Sequence, residues 1–143
     1  MGTQDQPAGP KRRSVLIVED NRADVFLIRE AIQNANVNAN LEVMDDGEKA
    51  IRFFERIDSE PSADCPDLVI LDLNLPRRPG REVLEHIRQT RRCPSAFVVV
   101  VTSSNSERDR DDMARLGVSV YFRKPSEYSE YMKLGGIVKS FFD

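Results

Sequence analysis

The stretch Leu68-Val69-Ile70-Leu71-Asp72-Leu73-Asn74-Leu75-Pro76 decides the fold. Its first four residues leave no polar face, as expected of a short strand covered on both sides, and Asp72 ends the run. Two other stretches repeat the pattern. Ser14-Val15-Leu16-Ile17-Val18 ends in Glu19-Asp20, and Phe97-Val98-Val99-Val100-Val101 ends in Thr102-Ser103-Ser104. Leu41 and Val43 alternate with polar neighbours before Asp45-Asp46-Gly47, which predicts a half-buried strand. Val118 to Phe122 predicts a fifth strand, closing at Arg123-Lys124-Pro125.

Between these strands the period changes to that of a helix. Val25, Ile28, Ile32 and Ala35 mark a helix over 24–35, and Ala50, Ile51, Phe54 and Ile57 mark the next. Val83, Leu84 and Ile87 mark a third, and Met113 with Leu116 a thin fourth that begins near Glu107 and stops at Gly117. Ser126 is the expected N-cap of a last helix whose apolar side is Tyr131, Leu134, Ile137, Val138 and Phe141. Gly135-Gly136 inside it costs about 1 kcal/mol per glycine relative to alanine. Five strand–helix units in succession predict an α/β fold, a doubly wound five-stranded parallel sheet with helices on both faces. Ligands of such sheets gather beyond the carboxyl ends of the strands, where the strand order reverses. The residues to watch are therefore Glu19, Asp20, Asp72, Thr102 and Lys124.

A chain of 143 residues predicts one domain, over 14–143, preceded by a disordered tail at 1–13 that has nothing to bury. Lys and Arg total 21 against 24 for Asp and Glu, a net charge of −3, which disfavours a non-specific nucleic-acid binder. No apolar run approaches the ~18 residues of a membrane span, and the start lacks a secretory signal. Cys65 and Cys93 lie far apart without CxxC spacing, so neither a disulfide framework nor a zinc site is expected, and a reducing, cytoplasmic compartment is. His86 is the only histidine, which leaves no multi-histidine metal site. Its place beside an apolar helical stripe predicts ordinary surface or edge packing. Neither a GxxxxGK[ST] nor a GxGxxG phosphate loop is present. The chemistry has to lie among carboxylates.

Acidic groups at the ends of adjacent strands repel one another, by roughly 4 kcal/mol for a pair ~4 Å apart at an effective dielectric near 20. A hard cation relieves this, and Mg2+ suits one or two carboxylates plus waters and phosphate oxygens. A lysine and a hydroxyl on the remaining strands would stabilise a transferred tetrahedral anion. Asp72, ending the most apolar strand, is the candidate phosphoryl acceptor. Each residue alone also has an ordinary reading. Asp72 can cap a turn, Glu19-Asp20-Asn21 and Thr102-Ser103 can cap helices, and Lys124 can be a solvated charge. Their arrival at one end of one sheet favours the joint reading.

VLIVEDN at 15–21, LVILDLNLP at 68–76 with Gly80, VVVVTSS at 98–104 and YFRKP at 121–125 resemble the receiver domain of two-component response regulators, across 14–143. The resemblance implies a flavodoxin-like sheet of order 2-1-3-4-5. It also implies Mg2+ held by Asp20 directly, by Glu19 through water, by Asp72 and by the Asn74 carbonyl. Asp72 would take a phosphoryl group from the phosphohistidine of a sensor kinase and promote both its own phosphotransfer and dephosphorylation. Thr102 would bind the phosphoryl oxygens and act as a switch with Tyr121, Lys124 would ion-pair with them, and the Lys124–Pro125 bond would be cis. The polar loop 58–66 and DLNLPRRPGREVL resemble small regulators paired with phytochrome-type sensor kinases, with Arg77-Arg78 read as solvated or touching the kinase.

The chain ends directly after the last helix, so the expected output is a protein contact. Tyr128, Tyr131, Phe141 and Phe142 exceed what one core-facing stripe uses and point to a homodimer face. A haloacid-dehalogenase-type phosphatase needs DxDxT, and Asp72-Leu73-Asn74-Leu75-Pro76 lacks its second acid and its hydroxyl. A receiver-like interaction module that takes no phosphate is the remaining alternative.

Overall fold

The computed structural model describes residues 12–142. The sheet is built from β1 (Arg13–Val18), β2 (Ala39–Met44), β3 (Leu68–Leu71), β4 (Val98–Thr102) and β5 (Val120–Arg123), all parallel, in the order β2-β1-β3-β4-β5. The helices between them are α1 (Arg22–Asn34), α2 (Gly47–Ser59), α3 (Gly80–Gln89) and α4 (Glu107–Arg115), with α5 (Tyr128–Tyr131) and α6 (Lys133–Ser140) closing the chain. The expected disordered tail falls, over 1–11, outside the described residues. Arg13 instead opens β1, paired with Ala39.

The fully apolar strands are the central ones, because side chains of period two point into two different cores. Leu16, Val18, Val69, Leu71, Val98 and Val100 face α2 and α3, where Phe54, Leu84 and Ile87 fill the layer. Val15, Ile17, Leu68, Ile70, Val99 and Val101 face α1, α5 and α6, against Ile28, Ile32, Leu134 and Val138. Edge strand β2 is only partly buried, as its alternation predicts. Among the described residues no helix is long and apolar enough to cross a membrane.

Three helices begin on side-chain caps: Asn21 Oδ1 accepts from Asp24 N (3.0 Å), Asp46 Oδ1 from Lys49 N (2.7 Å) and Ser106 Oγ from Asp109 N (3.2 Å). The last helix differs from expectation. Ser126 does not cap it; Glu127 precedes it without a side-chain bond, and Met132 divides it into α5 and α6. Gly135 explains the close approach that follows, since a Cβ there would lie 2.1 Å from Ala31 O of α1. The glycine expected to weaken this helix is what lets it dock. The Lys124–Pro125 bond is also corrected: no cis peptide occurs among the described residues, and the bond takes the trans form that even X–Pro bonds favour.

The amino edge of the sheet holds a third correction. Cys65 and Cys93 form a disulfide, with Cα atoms 5.9 Å apart. Their separation of 28 residues carries no motif, but Cys65 leads into β3 and Cys93 into β4, and these strands are neighbours in the sheet. Arginines fasten the same edge. Arg88 donates to the carbonyls of Leu116 (2.7 Å), Pro94 (3.1 Å), Ala96 (2.8 Å) and Gly117 (3.1 Å). Arg92 donates to Ile57 O (2.7 Å) and Glu60 O (2.9 Å).

Candidate functional site

At the opposite edge, β1 and β3 deliver their terminal acids side by side. Val18 pairs with Leu71, so the residues that follow them, Glu19 and Asp72, leave the sheet together, and Asp72 N still donates to Val18 O at 3.0 Å. One carboxylate oxygen from each of Glu19, Asp20 and Asp72 lies within 4.8 Å of the others. Asp20 is exposed, whereas Glu19 and Asp72 keep only 1% and 5% of their side-chain surface in solvent.

Lys124, delivered by β5, reaches across to this cluster. Its Nζ lies 2.9 Å from Glu19 Oε1, 2.9 Å from Asp24 Oδ2 and 3.3 Å from Asp72 Oδ2. Burial disfavours its ammonium, but the close carboxylates of Glu19 and Asp24 and the Asp72 charge outweigh this and hold its pKa above the usual lysine range. Burial pushes the Glu19 carboxyl up to about 7, against the pull of Lys124 and with the help of the Asp72 charge. Glu19 Oε1 has the ammonium as an ionic neighbour but off the direction of a hydrogen bond, so this buried oxygen has no directed partner. One ammonium thus contacts three carboxylates, and an under-satisfied oxygen sits among the Glu19, Asp20 and Asp72 groups that converge. The donor set is all oxygen and fits a hard divalent cation.

The other expected residues lie on the same edge. Thr102 ends β4, is fully buried and accepts at Oγ1 from Ser104 N (3.3 Å). Asn74 is exposed in the loop after β3, and its N–H donates to Asp72 Oδ1 (3.3 Å). Tyr121 is half-buried: its Oη donates to Ser104 O (3.2 Å), and the Arg110 guanidinium lies 4.5 Å above its ring. Arg77 takes a left-handed backbone (φ 72°), and Arg78 is exposed, with a 2.8 Å surface bond to Glu82.

Gly80 lets α3 start directly behind Asp72. A Cβ there would sit 2.1 Å from Asp72 O and 2.7 Å from Leu73 Cα, both backbone atoms that have no room to yield. Gly80→Ala is expected to lower stability by about 3 kcal/mol, the upper part of the range for overpacking, measurable by urea denaturation.

Two residues of the site were not read from the sequence as functional. Asp24, in the first turn of α1, joins Lys124 to Tyr131, whose Oη donates to Asp24 Oδ1 at 3.0 Å. The available signals were an acid one turn after Asp20 and a tyrosine on an apolar stripe, whose hydroxyl needs a partner when buried.

The sequence profile of the response regulator receiver domain matches residues 15–134. The chain belongs to the response regulator receiver domain family. Membership carries a phosphoacceptor role in two-component signalling. The domain is 33% identical over 128 residues to response regulator Rcp1 of Synechocystis sp. (strain PCC 6803), covering 90% of this chain and 87% of that one. Its fold is similar to that of the phosphorylated cyanobacterial phytochrome response regulator RcpA, at TM-score 0.83 and 33% identity, over 93% of this chain and 96% of that chain. It is likewise similar to the Mn2+-bound form of Rcp1, at TM-score 0.80 and 32% identity, over 91% and 94% of the two chains. The receiver fold, ordered 2-1-3-4-5 in this chain, is thus shared with these relatives.

Proposed function

We propose that this receiver domain, over 14–143, accepts a phosphoryl group on Asp72 from the phosphohistidine of a sensor kinase of the phytochrome type, with Mg2+ as the cation. The observation that carries this reading is the convergence of Asp72, Glu19 and Asp20 with the Lys124 ammonium at 3.3 Å from Asp72. The phytochrome link rests on the similarity to RcpA and on the loop 58–66.

In the transfer, an Asp72 carboxylate oxygen attacks phosphorus, the P–N bond to the donor histidine breaks, and the imidazole leaves with the electron pair. Glu19, Asp20, Asp72 and the Asn74 carbonyl would hold the cation, Glu19 through water. When bound, Mg2+ neutralises charge that builds on the phosphoryl oxygens. Lys124 and Thr102 supply a positive charge and a hydroxyl to those oxygens. Hydrolysis reverses the gain: water attacks phosphorus, the acyl-phosphate P–O bond breaks, and Asp72 is regenerated with release of inorganic phosphate. Thr102, drawn toward the phosphoryl group, would make room for Tyr121 to turn inward from its bond with Ser104, changing the surface around β5.

The output is proposed to be a protein contact, with no nucleic acid or membrane involved. Tyr131 is buried, Phe141 packs on Phe97 (5.4 Å between centroids) and Phe142 lies under Arg13 (5.3 Å), so half-exposed Tyr128 and Phe97 carry the case for a homodimer. Sedimentation equilibrium showing only monomer, with and without fluoroberyllate, would remove it. A cytoplasmic location is supported by the kinase-fed role alone, since the pairing of Cys65 with Cys93 removes the argument from reduced thiols.

Incubation with acetyl phosphate and Mg2+, followed by intact-mass measurement, tests the central reading. One phosphoryl group per chain, labile to hydroxylamine, is expected. No gain would leave the phosphate-free interaction module, and steady turnover of a phosphoester would indicate a phosphatase.

A further inference from the structure

Lys124 makes a closer contact with a residue of α1 than with the proposed acceptor. Its Nζ is 2.9 Å from Asp24 Oδ2 and 3.3 Å from Asp72 Oδ2. Asp24 belongs to neither the converging carboxylate trio nor the apolar face of α1. Its second oxygen accepts a hydrogen bond from Tyr131 Oη at 3.0 Å, and Tyr131 is 2% exposed, on a four-residue helix packed beside Phe122 of β5. A continuous chain of contacts, Asp72–Lys124–Asp24–Tyr131, therefore joins β3, β5, α1 and α5.

We propose that Asp24 is a positioning residue that competes with Asp72 for the Lys124 ammonium, and that Tyr131 sets the strength of that competition. This rests on Asp72 being the phosphoacceptor. A phosphoryl group on Asp72 presents three acceptor oxygens and about −1.5 to −2 of charge to the same ammonium. To meet them, Lys124 has to give up part of its contact with Asp24. Asp24 also repels the incoming anion directly, so its charge acts against the loaded state twice. The Tyr131 hydroxyl, by sharing the Asp24 charge, weakens the hold of Asp24 on Lys124. Loading then leaves Asp24 to Tyr131 alone, and the environment of that phenol changes even though it lies one residue beyond the ammonium. A charge gained on Asp72 is thereby read at α5.

The two ends of this chain predict opposite effects. Asp24→Asn keeps the side chain's volume and one acceptor oxygen but removes the competing charge. Tyr131→Phe keeps the ring and leaves Asp24 without its hydrogen-bond donor. The full chain and each variant are titrated with fluoroberyllate at saturating Mg2+, by calorimetry and by the ζ-13C signals of the three tyrosines. Asp24→Asn is expected to bind at least about fivefold more tightly, within the usual range of coupling between sites. Tyr131→Phe is expected to bind more weakly. The Tyr131 resonance, assigned by its loss in Tyr131→Phe, shifts on saturation in the native chain and much less in Asp24→Asn.

Equal affinity in Asp24→Asn, weaker affinity there, or the same direction of change in both variants would overturn the competition and leave Asp24 a structural tie. Should Asp24→Asn fail to fold, unchanged or tighter binding by Tyr131→Phe overturns it equally. Failure of the native chain to bind fluoroberyllate would overturn the Asp72 assignment itself, and this inference with it.

Discussion

Asp72→Asn is expected to abolish phosphoryl uptake from acetyl phosphate and from a kinase phosphohistidine, reducing the mass gain to background. The amide matches the carboxylate in volume, so the packing around the end of β3 is unaltered. Its nitrogen carries hydrogens and its oxygen has lost the charge that makes it a nucleophile. Only one carboxylate of the cluster is both buried and within reach of Lys124 from β3, at 3.3 Å, so no neighbour takes over the position. Folding is expected to survive, because the substitution also removes one member of a mutually repelling set. A melting curve beside the mass spectrum separates the two effects. Persistent uptake at full stoichiometry by a folded Asp72→Asn chain would mean that the acceptor lies elsewhere.

Lys124→Ala is expected to cost about 3 kcal/mol of stability, the lower part of the range for removing one partner of a buried ion pair. The side chain is 13% exposed and, among the described residues, is the only ammonium within 4 Å of Glu19, Asp24 and Asp72. Without it these acids face one another with no internal counter-charge. A divalent cation can take over part of that duty. Saturating Mg2+ is therefore expected to raise the urea midpoint of Lys124→Ala by more than that of the native chain, through binding to the folded state alone. Equal Mg2+ responses in the two proteins would show that the ammonium and the cation do not share the cluster. Phosphoryl uptake is expected to slow but not vanish, since Asp72 remains.

What the sequence made legible was the edge of the sheet that carries the candidate site. A buried strand has to end somewhere, and the polar residues just after each apolar run mark that place, so Glu19, Asp72, Thr102 and Lys124 could be located before any contact was known. The geometry then shows Lys124 against Asp72 and Glu19 beside both. Asp24 and Tyr131 were hidden because one-dimensional spacing does not say which turn of α1 faces which turn of α5. Asp24 reads as an ordinary acid in a first turn, and Tyr131 reads as one more member of an apolar stripe. The Cys65–Cys93 bond was hidden for a related reason. Its two loops are brought together by the pairing of β3 with β4, and strand order is a property of the whole sheet. The break at Met132 and the close approach of α6 to Ala31 are likewise features that no local pattern encodes.

The covalent ring closed by Cys65 and Cys93 has a mechanical consequence. If the two termini are pulled apart, tension bypasses the enclosed segment, passing across the sulfur bridge instead of along β3 and α3. The 28-residue span between the cysteines then adds nothing to the contour length released on rupture, a shortfall of roughly 90 Å relative to the dithiol chain at about 3.4 Å per residue. Asp72 sits inside that slack. Stretching the protein would strip away its neighbours on β1 and β5 while leaving the proposed acceptor's own loop unextended.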